Sequence, residues 1–128
     1  MVAADRVHEG RWSGTDGAAA HEGAGRLVTG AHNAGRNSGN VGIALLGTLT
    51  DTPAPAAART TLVQLLADLV RRHSIGPLTH VSYRNPVSSA TRTVPAISGH
   101  RDWAATLCPG TLHTDLPSIR REVAQLTR

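Results

Sequence analysis

The sequence predicts a mixed α/β fold, on three observations. Residues 40–50 hold an apolar run bounded by glycine, the pattern of a buried strand. Residues 62–69 and 112–126 each repeat large aliphatic side chains every three or four positions, the pattern of a helix with one buried stripe. The expected architecture is a mixed central β-sheet packed by at least two helices. The 128 residues fit one domain, 1–128, and a chain of this length buries roughly two thirds of its unfolded surface.

The elements follow in chain order. Val2 to Arg11 reads as a short strand-like run. Residues 12–30 are rich in Gly, Ala and Ser and show no apolar period, which predicts a long surface loop. Val41, Ile43, Leu45 and Leu46 form the buried strand. Thr52 suits an N-cap and Pro53 the first helical position, where a missing N–H costs nothing. Leu62, Leu65, Leu66 and Leu69 then define the buried stripe of that helix. Arg71, Arg72 and His73 close it at the negative end of its dipole. Residues 78–92 read as an irregular loop holding Tyr83 and Pro86, and Val94 to Ile97 as a short strand leading to His100. Leu112, Leu116, Ile119, Val123 and Leu126 define one face of the last helix, with Pro117 expected in its first turn.

Composition narrows the function. Apolar residues make up 40% but aromatics only 2%, with no Phe, so the core rests on Leu, Val, Ile and Ala. All 13 basic residues are Arg, and the net charge is +4. A basic balance favours anionic partners. The Arg residues are scattered, however, and no stacking aromatics interleave with them, which argues against nucleic acid. One Cys excludes an intrachain disulfide. No segment has the length and hydropathy to span a membrane, and no signal peptide is visible after Met1.

Gly99-His100-Arg101-Asp102-Trp103-Ala104-Ala105-Thr106-Leu107-Cys108-Pro109-Gly110 is the most informative stretch. It places an imidazole and the only thiol eight residues apart in a loop bounded by Gly and Pro. Neutral imidazole and thiolate are both good zinc ligands. Two ligands do not make a zinc site, and on spacing alone the pair reads as a loop His and an unrelated Cys.

The wider pattern changes that reading. The stretch resembles the late motif of the type 2 N-acetylmuramoyl-L-alanine amidases and the peptidoglycan recognition proteins, Gly-His-Arg-Asp, a spacer, then Thr-x-Cys-Pro-Gly. Upstream, Gly30-Ala31-His32-Asn33-Ala34-Gly35-Arg36-Asn37-Ser38, followed by Val41-Gly42-Ile43-Ala44-Leu45-Leu46-Gly47, is similar to the family's Gly-Ala-His...Asn-Ser loop and the strand after it. Val7-His8-Glu9-Gly10-Arg11 resembles its Val-Tyr-Glu-Gly-Arg hairpin, with His8 in place of the aromatic. Residues 12–30 look like the insertion of actinobacterial members.

The resemblance implies a peptidoglycan-recognition-protein-like amidase fold and zinc-dependent hydrolysis of the amide between N-acetylmuramoyl and L-alanine. It implies His100 and Cys108 as zinc ligands and Thr106 as the group that stabilises the oxyanion. It implies His32 and Asn37 as groove-lining contacts to the muramyl peptide; turn chemistry is the alternative for both. Arg101 suits a peptide carboxylate, since its fork matches that geometry. Asp102 suits a supporting role to His100 or Arg101, or an ordinary ion pair. Trp12 and Trp103 suit either sugar or core. The partner expected is peptidoglycan, without nucleic acid or membrane. The expected state is a monomer, and the expected place the cell wall or exterior.

One departure is notable. The family's first zinc His and its catalytic Tyr stand upstream of the hairpin, whereas only six residues precede Val7, and none is His or Tyr. The chain is therefore expected to lack its first elements and to bind zinc weakly. His8, His21 and His32 are the nearby candidates for a substitute ligand. Two competing readings remain: a non-catalytic peptidoglycan-binding module, and a Cys–His thiol hydrolase with Cys108 as nucleophile.

Overall fold

A computed structural model describes residues 1–8, 10 and 29–128. Glu9, Arg11, Trp12 and His21, and with them most of the expected 12–30 loop and of the Val7–Arg11 hairpin, lie outside the described residues. The architecture is mixed α/β, as the sequence predicts: two helices pack with small antiparallel sheets. Among the described residues the strands form two separate pairs rather than one central sheet.

The chain opens with strands β1 (Val2–Ala3) and β2 (Arg6–Val7), paired antiparallel. The strand-like run therefore reverses at Ala4 and Asp5, where Ala4 takes a left-handed φ of 49°. Val2 is fully buried. Its N–H donates to Ala44 O at 2.7 Å and its carbonyl accepts from Leu46 N–H at 2.9 Å, a single parallel bridge centred on Leu45.

That bridge is all that remains of the strand expected at 40–50. Beside a two-residue strand, the segment forms no further ladder with the described residues. Ile43, Leu45 and Leu49 pack on the core, while Val41 and Leu46 are 47% and 53% exposed. Gly42 serves a different end: a Cβ there would lie 2.2 Å from His32 Cγ.

Helix α1 runs Ala56–Arg72, with Pro55 at the N-cap position. It starts later than Thr52 and Pro53 suggest. Pro55 disfavours helical geometry at Ala54, so no turn can run through 53–55. The buried face is Leu62, Val63, Leu66, Ala67 and Val70, with Leu65 and Leu69 only half-buried. The stripe is thus rotated from the all-leucine one, with Val63, Ala67 and Val70 in the principal core. His73 ends α1.

Residues 80–95 form a hairpin, in place of the loop expected over 78–92; the strand expected from Val94 is its second arm, which begins earlier, at Thr91. Strand β3 (His80–Arg84) pairs antiparallel with β4 (Thr91–Pro95), Tyr83 opposite Arg92 and Val81 opposite Val94. Only Tyr83 and Val94 are buried, one per strand, too few for an apolar alternation. Asn85 turns the chain: its Oδ1 accepts from Val87 N–H at 2.8 Å and Ser88 N–H at 3.1 Å.

Helix α2 (Thr111–Leu126) buries Leu112, Leu116, Ile119 and Val123, as its periodicity predicts. Leu126, expected on the same face, is 48% exposed. Pro117 lies inside the helix rather than in its first turn, forgoing a bond to the carbonyl of His113. The principal core joins the faces of α1 and α2 with Ile97. Arg59 of α1 clamps α2, donating to Asp115 at 2.6 Å and to Glu122 at 2.6 Å.

Candidate active site

The loop between β4 and α2 carries the sequence motif, and its backbone is pinned at both ends. At the start, Ile97 is buried in the principal core, and Gly99 N–H donates to Asp102 Oδ2 at 2.8 Å. That bond closes a 3-10 turn over His100–Asp102, so Asp102 supports the turn that carries His100. At the end, Thr111 N–H donates to Leu49 O at 2.8 Å and its hydroxyl to Thr52 O at 2.9 Å. Gly110 takes a φ of 66°, and a Cβ on it would stand 2.1 Å from Leu49 O. Only glycine satisfies both demands.

Between these anchors the loop is tied across its chord. Arg101 Nη2 donates to Leu107 O at 2.8 Å and Nε to Thr106 O at 3.3 Å. Gly110 N–H also donates to Leu107 O, at 2.7 Å. Thr106 Oγ1 accepts from Cys108 N–H at 3.2 Å, which leaves the hydroxyl proton to donate elsewhere. Cys108 is a free, exposed thiol, and its bond to Pro109 is cis. Arg101 thus spends two of its nitrogens on the loop, a use that residue type and spacing did not disclose.

The second motif loop, residues 30–38, is shaped by Asn37. Its Oδ1 accepts from His32 N–H at 2.9 Å and Asn33 N–H at 2.7 Å, which is the turn chemistry weighed for it. The His32 ring packs against Gly30 and Gly42. Its Nε2 is buried without a hydrogen-bond partner among the described residues.

Tyr83 joins the two loops. Its hydroxyl donates to Ser38 O at 2.8 Å, and its ring meets Trp103 edge-on at 5.1 Å. Asn85 Nδ2 adds a bond to Gly35 O at 2.8 Å. Trp103 is buried in this second cluster with Tyr83 and Val94, its Nε1 donating to Ser98 Oγ at 2.9 Å. It belongs to the core. Tyr83 escaped the sequence reading because it sits in a stretch without apolar rhythm; being the only Tyr was its one signal.

The residues that could hold a metal on the sequence expectation are His100 and Cys108, whose imidazole and thiol have donor chemistry suited to zinc. No group of three His, Cys, Asp or Glu side chains able to hold a metal occurs among the described residues. A catalytic zinc takes three protein ligands, so these two residues alone could not complete its donor set.

The family model for N-acetylmuramoyl-L-alanine amidase matches residues 3–111 of the chain. No curated protein and no solved structure matches it significantly.

Proposed function

From the chain's membership of the N-acetylmuramoyl-L-alanine amidase family, we propose that it hydrolyses the amide joining the N-acetylmuramoyl lactyl group to L-alanine in peptidoglycan, with zinc held in part by His100 and Cys108. The observation that carries the reading is the pinned loop 99–110, which presents an exposed thiol, a hydroxyl and an imidazole from one short segment. When bound, the metal supplies a polarised carbonyl and an activated water.

The chain's own residues do the rest. Thr106 donates its hydroxyl proton to the oxygen of the scissile carbonyl as charge develops there. Its Oγ1 accepts from Cys108 N–H, which links the hydroxyl to the backbone that carries the thiol. His32 and Asn37 line the substrate side, Asn37 by holding the backbone that carries His32. Arg101 keeps Nη1 for a stem-peptide carboxylate while its other two nitrogens hold the loop. Action at the cell wall, outside the cytoplasm, belongs to the same proposal.

The second reading is a peptidoglycan-binding module without catalysis, favoured by the incomplete donor set among the described residues. The two separate on a muramyl dipeptide with zinc added. Hydrolysis that stops with a chelator and in Cys108→Ser supports the amidase. Thr106→Ala should lower kcat about a hundredfold with zinc still bound, the usual effect of losing one oxyanion donor. If Thr106→Ala releases the zinc, its assigned role is wrong. Binding of the dipeptide without turnover selects the module.

A further inference from the structure

His113 lies outside every motif discussed above, in the first turn of α2. Its Nδ1 is buried and has no hydrogen-bond partner among the described residues. A buried polar atom without a partner costs stability, so an aliphatic side chain would serve the helix better if packing were the only demand.

The surroundings of Nδ1 show a different demand. A Cβ built on Gly99 would stand 3.0 Å from His113 Nδ1, 3.1 Å from Leu116 Cδ1 and 3.1 Å from Pro109 Cδ. Gly99 has an ordinary extended backbone, φ −89° and ψ 161°, so what favours glycine here is close approach and not dihedral angle. Leu116 lies one helical turn after His113, which places both on the same side of α2. The two side chains and the Pro109 ring form a floor on which Gly99 rests.

That floor touches the neighbours of both candidate ligands. Gly99 precedes His100, and Pro109 follows Cys108. Among the described residues no hydrogen-bonding group meets Nδ1. Nδ1 then presents a bare ring edge, flatter and smaller than a methyl group.

We propose that His113 is a positioning residue for the site: its ring edge sets how closely Gly99 approaches Pro109, and so where His100 stands relative to Cys108. The inference rests on the reading of those two residues as a ligand pair. It also accounts for an unpartnered nitrogen where a leucine would be more stable.

The test uses the full chain with zinc alone, by calorimetry, alongside melting temperature and muramyl-dipeptide kinetics. His113→Leu should melt at or above the wild-type temperature yet bind zinc about tenfold more weakly, the scale of losing a group that orients a ligand. Its kcat should fall with KM unchanged. His113→Asn, whose Oδ1 can stand where Nδ1 does, should recover most of both. Wild-type zinc affinity and turnover in His113→Leu overturn the proposal. So does a loss shared by the Leu and Asn variants together with a lowered melting temperature, which is plain destabilisation. If His100→Ala binds zinc as the wild type does, the ligand pairing itself fails and the proposal falls with it; if His100→Ala weakens zinc and His113→Leu does not, the positioning role alone is refuted.

Discussion

Gly110 and Gly99 bracket the same motif and are glycine for different reasons. Gly110 needs a left-handed backbone and also meets Leu49 O. Leu49 O is already engaged by Thr111 N–H, so the clash in Gly110→Ala cannot be relieved by turning a side chain. The substitution should cost about 2 kcal/mol or more, from the left-handed backbone and the contact together. A lower urea midpoint at unchanged slope would register it; an unchanged midpoint would show that residues 49–52 yield freely. At this scale the sequence was informative wherever a rare residue type marks a position. The single Cys, and a His between Gly and Arg, drew attention to the loop that the structure pins at both ends. Tyr83 and His113 stayed hidden because what each one does depends on a contact distant in sequence, Ser38 for the first and Gly99 for the second.

Between elements, the strongest polar tie is the clamp of α1 on α2. Arg59 donates to both Asp115 and Glu122, and Ser118 Oγ donates to Glu122 at 3.1 Å. The Arg59 hydrogen bonds hold the Glu122 carboxyl at about 2, down from 4.5, while the guanidinium is held above its ordinary range by the same bonds. A carboxyl depressed in the folded state contributes stability above its unfolded value and loses it as pH falls. The contribution of Glu122 is therefore intact above about pH 4.5 and disappears between there and about pH 2. Melting temperature followed down that window should fall in the wild type and fall less in Glu122→Gln. Equal slopes would show that the clamp contributes nothing, as exposed ion pairs often do. Both helices were legible because burial on one side imposes a 3.6-residue rhythm. The start of α1 was not, since Pro53 looks like a helix opener until Pro55 forbids the turn. The β3–β4 hairpin was illegible for a related reason: with only Tyr83 and Val94 facing inward, burial writes almost nothing into its sequence.

At the scale of the molecule, two apolar clusters among the described residues divide the work. The larger joins α1 and α2 around Ile119 and Val123, both fully buried. The smaller, Tyr83, Val94 and Trp103, seats the two motif loops on the hairpin. The boundary between them runs through a short stretch of chain: Ile97 belongs to the first and Trp103 to the second. Arg120 Nε, donating to Ile97 O at 2.8 Å, ties that boundary to α2. Global stability should therefore reside in the helices, and the order of the site in the smaller cluster. Ile119→Ala removes a fully buried side chain and should cost about 2–5 kcal/mol, a large share of the roughly 5–15 kcal/mol of a typical domain. Every protected amide should then exchange faster. Trp103→Ala should act locally. Exchange should accelerate across the β3–β4 ladder and the turn at 99–104, while the amides of α1 and α2 keep their protection, because cooperative units follow contiguous packing. Hydrogen exchange resolved by residue distinguishes the two patterns. If Trp103→Ala strips the helices of protection as fully as Ile119→Ala does, the chain opens as one unit and the site has no stability of its own to lose.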